Sequence, residues 1–126
     1  YGAVKVLKDE IQFDSRAEHS RYVELSLLQK AGEIKDLRHH QVIPIVFFGI
    51  AICKYEADFV YNRHGNLYVE DVKGVETGLF KLKYKLVKVV LPDYRCFIFK
   101  KGILKELILE KGKLKRIQLP TGNRKW

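Results

Sequence analysis

The sequence predicts a single α/β domain in which helices flank a mixed central sheet. Three observations lead there. Residues 77–90 carry apolar side chains at helical spacing and run straight into a strand-like segment, Tyr94 to Phe99. Two further strand-like segments, Tyr55 to Asn62 and Leu67 to Lys73, flank a tight-turn sequence. No repeat, low-complexity tract or Ser/Pro-rich linker divides the 126 residues, a length that suits one domain. A composition of 47% hydrophobic and 31% charged residues is that of an ordinary globular protein.

The elements follow in order. Residues 1–13 alternate weakly through Val4, Leu7, Ile11 and Phe13 and read as a short strand or edge hairpin. Ser15 followed three residues later by Glu18 is a capping box. Tyr22, Leu25, Leu28 and Ala31 then repeat at helical spacing, and Gly32 is a natural stop, so a helix is expected over about residues 16–31. A loop holding His39 and His40 leads to a strand over Val42–Phe48, where Pro44 must sit at the start or on an edge. In Arg63-His64-Gly65-Asn66, Gly65 supplies the positive φ of a tight hairpin turn and His64 is a turn residue. Phe80, Tyr84, Val87 and Leu91 mark the buried stripe of the second helix, which Pro92-Asp93 ends. Residues 103–119 form either a hairpin about Lys111-Gly112 or a broken helix; the hairpin is preferred. The tail from Pro120 is expected to be loose.

Several classes are excluded at this stage. The longest apolar stretch, Val42 to Cys53, is broken by Pro44 and Gly49 and is shorter than the roughly 20 residues a membrane helix needs. No basic region followed by an apolar run marks a secretory signal. Cys53 and Cys96 are too few for a disulfide scaffold or a structural zinc site, and both lie in apolar runs, as small core residues do. A reducing, cytoplasmic setting is expected. Charge is divided unevenly: residues 1–80 have a net charge of −2 and residues 81–126 a net charge of +11. A basic third on a nearly neutral body points to a polyanion partner, nucleic acid above all; the plainer reading is a soluble lysine-rich face.

The hairpin carries the most specific chemistry. With its loop centred on His64-Gly65, opposed residues have numbers summing to 129, which sets Asp58 across from Asp71. Alternation puts Lys73 on the face of Asp71 and turns Glu70 and Val72 the other way. Like charges directly opposed destabilise a sheet. A divalent cation with oxygen ligands between the two carboxylates would remove that penalty. The plainer alternative is a solvated acidic face partly neutralised by Lys73. Phe59, Val60, Tyr61, Val69 and Val72 weigh against it, because they suit a covered, central strand pair.

Asp58, the thirteen-residue interval to Asp71, and Asp71-Val72-Lys73 resemble the D…(D/E)-x-K core of the PD-(D/E)XK nuclease superfamily. The order of elements resembles its restriction-endonuclease-like αβββαβ core. More closely, FDSRAEHSRY at 13–22, YEADFVY at 55–61 and VEDVKG at 69–74 resemble a family of small nucleases of phages and prophages. Archaeal-type Holliday-junction resolvases and the endonuclease subunit of Tn7-like transposases are more distantly similar. The resemblance runs over a core of about residues 10–100 and leaves about 101–126 as a basic C-terminal extension of the same domain. Two departures stand out: Ala57 replaces the usual proline, and Asp71 holds a position where the superfamily prefers glutamate.

The resemblance implies a metal-dependent DNA endonuclease, phage-type and structure-specific in one version, using Mg²⁺ with Mn²⁺ as a substitute. Asp58 and Asp71 would be metal ligands, Lys73 the catalytic lysine, and Glu18 the helix-borne acid that completes the site. The capping box explains Glu18 without any catalysis, so its role stays open. Lys81, Lys85 and Lys88 form a helical stripe that is either a solvated face or, with Lys100 and Lys101, a track for phosphates. Symmetric two-strand cutting would make a homodimer natural. Two rivals remain: a non-catalytic DNA-binding or assembly protein on the same fold, and a subunit active only within a recombination or transposition complex.

Overall fold

The computed structural model describes residues 6–8, 11–13 and 15–119, with side chains over 15–119. A two-stranded antiparallel hairpin, β1 (Val6–Lys8) and β2 (Ile11–Phe13), comes first, as the alternation at the N-terminus suggests. Then come α1 (Arg16–Lys30), β3 (Lys35–Phe47), β4 (Ile50–Arg63), β5 (Asn66–Val72), α2 (Gly78–Val90), β6 (Arg95–Lys100), β7 (Ile103–Glu110) and β8 (Lys113–Gln118). From α1 to β6 the order is αβββαβ, as expected.

Strands β3 to β8 form one mixed sheet in sequence order. Only β5 and β6 run parallel, because α2 carries the chain back between them. Pro44 lies in β3, the edge strand, where its missing N–H disrupts no inner ladder. Among the described residues, no helix is long and apolar enough to cross a membrane.

The two helices cover opposite faces. Leu25 and Leu28 of α1 pack with Phe59, Tyr61, Tyr68 and Phe97. Phe80, Tyr84 and Val87 of α2 pack with Val60, Val69, Cys96 and Ile98. Strand alternation therefore sends Tyr68 and Glu70 toward α1, and Val69 and Asp71 toward α2. Both helices start where the sequence caps them: Ser15 Oγ accepts the Glu18 N–H and Thr77 Oγ1 accepts the Phe80 N–H, each at 3.1 Å.

Three expectations need correction. His39 and His40 lie inside β3, which starts at Lys35, and not in a loop. The strands expected over 42–48 and 55–62 are longer, β3 over Lys35–Phe47 and β4 over Ile50–Arg63, and form one antiparallel ribbon closed by the turn Phe48-Gly49. Residues 103–118 are not an extension beyond a finished core, since β7 and β8 continue the central sheet. The preferred hairpin about Lys111-Gly112 is present. The tail from Pro120 lies outside the described residues.

Candidate functional site

The β4–β5 hairpin turns at His64-Gly65, with φ of 54° and 79°. Positive φ at both central residues matches the right-handed twist of the flanking strands, and a glycine adopts it without strain. The register is the expected one, from Arg63 opposite Asn66 to Phe59 opposite Glu70. The ladder stops one step short of Asp58 and Asp71. There Asp58 Oδ2 accepts the Val72 N–H at 2.8 Å, so a side chain takes the place of the next backbone rung.

Asp71 is 1% exposed, and neither of its carboxylate oxygens accepts a hydrogen bond of ordinary geometry from the described residues, although the Asp58 N–H and the Lys73 ammonium lie close enough to favour its charged form. The Lys73 ammonium lies 3.7 Å from Asp71 Oδ1, an ion-pair distance too long for a hydrogen bond. The same ammonium sits 4.5 Å from the centre of the Phe80 ring, which fixes it over the start of α2. Buried polar atoms are almost always paired, so a sealed carboxylate without such a bond at either oxygen is a strong anomaly.

Burial pushes Asp71 up to about 7, helped by the Glu18 charge, with Lys73 and the nearby Asp58 N–H pulling the other way. Burial, then the Glu18 charge, push the half-buried Asp58 up to about 6 against the Val72 N–H, Lys73 and His40. The two aspartates are thus costly to ionise, but through loss of solvent and the Glu18 charge and not through the mutual repulsion that opposed placement suggested. An added cation would offset that cost.

Glu18 is buried near the start of α1, and its amide and carboxylate do separate jobs. The amide serves the Ser15 cap. Oε2 meets the Nε2 atoms of both His39 and His40, the latter at 3.0 Å. The structure thus brings Asp58, Asp71 and Lys73 together and sets Glu18 beside them, its carboxylate directed to a histidine pair that sequence reasoning missed. Neighbouring strand residues normally face opposite ways, so His39-His40 gives no metal-site signal on paper. His40 escapes the rule with φ of 55°, inside a strand and without being glycine. Such a conformation costs on the order of 1–3 kcal/mol.

The same irregularity switches the ribbon over. Leu37 and His39 face the α1 side, whereas Ile43 and Ile45 face the α2 side. On β4, Ala57 packs on the α2 side and Phe59 on the α1 side, so the switch falls at Asp58, opposite His40.

The basic residues divide. Lys81 and Lys85 are exposed on α2, and Lys101 is exposed in the β6–β7 turn. Lys100 lies 3.7 Å from Glu76, which Arg116 also engages. Lys88 is a correction: it is buried, and its ammonium donates to Pro92 O at 3.1 Å and Tyr94 O at 2.9 Å. It closes the C-terminal end of α2 and is withdrawn from the phosphate track.

Fold and site together define a class: an αβββαβ protein with an aspartate pair and a lysine where the hairpin meets the crossover helix. The chain belongs to the family described as Protein of unknown function (DUF1064), which matches residues 1–106. No curated protein and no solved structure matches it significantly.

Proposed function

We propose that the protein is a divalent-cation-dependent nuclease of the PD-(D/E)XK type that hydrolyses phosphodiester bonds in DNA. The observation that carries this reading is the Asp71 carboxylate, sealed from solvent, next to Lys73 and without a hydrogen bond of ordinary geometry from the described residues. Its donor set fits Mg²⁺, a hard cation that takes oxygen ligands. Asp58 and Asp71 would hold the ion, and Glu18 would add negative charge from beside them. When bound, the cation would lower the pKa of a water and draw charge from a phosphoryl oxygen.

The chain's own residues divide the remaining work. Asp58 is aimed by the Val72 N–H. Lys73, held between Asp71 and the Phe80 ring, keeps a positive charge where negative charge would develop on the phosphate. Lys81, Lys85 and Lys101 offer exposed cations to the backbone, contacts that position a duplex without specifying its sequence. Beyond the switch at His40 and Asp58, Val46, Ile50, Ile52 and Phe48 are exposed on the β3–β4 ribbon. An apolar surface there supports the expected homodimer.

Single-turnover nicking of supercoiled and branched DNA, with Mg²⁺ or with chelator, tests the reading. Cleavage that needs Mg²⁺ and disappears in Asp71→Asn is expected. Tight DNA binding without cleavage under any divalent ion would favour the non-catalytic alternative.

A further inference from the structure

We infer that Glu18, His39 and His40 form a second metal site, for a divalent transition ion of the Zn²⁺ or Co²⁺ kind, distinct from the all-oxygen site at Asp58 and Asp71. One ligand atom from each of the three residues lies within 4.8 Å of the other two. Both Nε2 atoms converge on the same carboxylate oxygen, Glu18 Oε2. Two imidazoles and a carboxylate suit the first-row divalent metals, whereas Mg²⁺ favours oxygen donors.

The placement of these donors is not a by-product of regular structure. Successive strand residues should diverge, yet the His39 and His40 rings stack with centroids 3.8 Å apart. The left-handed backbone at His40 makes that possible; unlike the same conformation in the His64 and Phe48 turns, it falls inside a strand, where no turn calls for it. The ring of His39 is walled by Phe59 at 5.3 Å and Tyr22 at 6.4 Å between centroids, which fixes its direction. Apolar walls of this kind set the orientation and dielectric of a metal ligand. The His40 side chain is 29% exposed and leaves an entry path from solvent. Asp58 feels the charges of both Glu18 and His40, so an ion held here would lie beside the aspartate pair and bias its field.

This inference does not depend on nuclease activity, and metal binding alone tests it. Tag-free protein would be titrated with Co²⁺, read by visible d–d absorption, and with Zn²⁺ and Mg²⁺ by calorimetry. One equivalent of Co²⁺ or Zn²⁺ should bind at least 100-fold more tightly than Mg²⁺. His40→Gly suits the test because it removes a ligand and accepts the positive φ, so its metal-free melting temperature should hold or rise while Co²⁺ affinity falls 10–100-fold. His39→Ala should lose affinity similarly, and His64→Asn should not. Asp71→Asn should keep the Co²⁺ spectrum and lose the Mg²⁺ response, which separates the two sites. Cu²⁺-loaded wild-type protein should display coupling to imidazole nitrogens in its paramagnetic resonance spectrum, a readout that needs no variant. Unchanged Co²⁺ binding in both His39→Ala and His40→Gly, loss of it in Asp71→Asn, or a Cu²⁺ spectrum without nitrogen coupling would overturn the site.

Discussion

Glu70 and Asp71 are neighbours on β5, both sealed from solvent, yet the two faces of the strand treat them in opposite ways. Toward α1, Glu70 accepts from Nε and Nη2 along one edge of the Arg21 guanidinium, Nη2 at 3.0 Å, and accepts the Tyr61 hydroxyl at 2.6 Å. Toward α2, Asp71 has a lysine at 3.7 Å and no hydrogen bond of ordinary geometry from the described residues. A buried charge that is fully paired belongs to the fold. A buried charge left open needs something the polypeptide does not supply, and that is the signature expected of a ligand-binding group. The contrast separates an acid paired within the fold from the one proposed to hold a ligand, at adjacent positions where residue type alone could not.

The largest effect that could break this comparison is on stability. Glu70→Ala leaves the Arg21 guanidinium buried without its partner and should cost about 3–5 kcal/mol in urea denaturation. Cleavage by the folded fraction should survive, because Glu70 faces away from the aspartate pair. Asp71→Asn should behave in reverse, holding or raising the stability of the metal-free protein while removing its response to Mg²⁺. If both substitutions cost the same stability, the two acids do not differ as described.

Next in size is Lys73→Ala. Removing a preorganised charge from a reacting phosphate typically lowers the rate by about 10²–10³, roughly 2.7–4 kcal/mol of barrier. DNA affinity should barely change, since one cation among 24 is lost. Without Lys73, Asp71 should become still harder to ionise, because the ammonium now pulls its pKa down. Single-turnover nicking beside filter binding checks the pair of outcomes; equal losses in both would make Lys73 a binding residue.

The raised carboxyls also give the metal-free protein a pH signature. Asp71 at about 7 and Asp58 at about 6, against an ordinary 3.8, mean that the folded state holds protons the unfolded chain has released. Stability from these groups is therefore fully present below about pH 4 and lost as pH rises through 6 to 7. Urea melts in chelator from pH 4.5 to 8 should decline for wild type and decline less for Asp71→Asn. The increment given by Mg²⁺ should grow over the same range, as the ion replaces the missing protons. A parallel decline in both proteins would remove Asp71 as the source.

What could be read from the sequence follows the same division between regular and irregular backbone. The Ser15 cap and helical spacing located α1, spacing and the Pro92-Asp93 stop located α2, and the two-residue turn at His64-Gly65 fixed the hairpin register, so Asp58, Asp71 and Lys73 were legible as one face. The site's histidines were not, because their convergence depends on a single left-handed residue inside a strand, His40, a conformation uncommon for any residue but glycine and invisible to strand alternation. The Phe48-Gly49 turn was hidden for a related reason. It interrupts an apolar run with a bulky residue at positive φ, where a turn signal would ordinarily be polar. Lys88 was misread because helical periodicity places a side chain on a face but is silent about carbonyls from the next loop, here those of Pro92 and Tyr94.

The smallest effects test whether paired and open charges can be told apart on α2 as they are on β5. Lys85 is exposed, whereas Lys88, less than one turn further on, spends its ammonium on two backbone carbonyls. If Lys85 contacts a phosphate, Lys85→Ala removes one released counterion and should reduce the slope of log affinity against log salt by about 0.9. Stability should stay unchanged, since an exposed lysine contributes little to it. Lys88→Ala should leave that slope alone and instead cost about 1 kcal/mol, the net worth of the hydrogen bonds that hold the 92–94 loop to the helix end. Salt titrations of DNA binding and urea melts on both variants give four numbers, and only the crossed pattern fits. A slope change in Lys88→Ala would mean that its ammonium leaves the carbonyls for the duplex, and the charge would then belong to the binding surface after all.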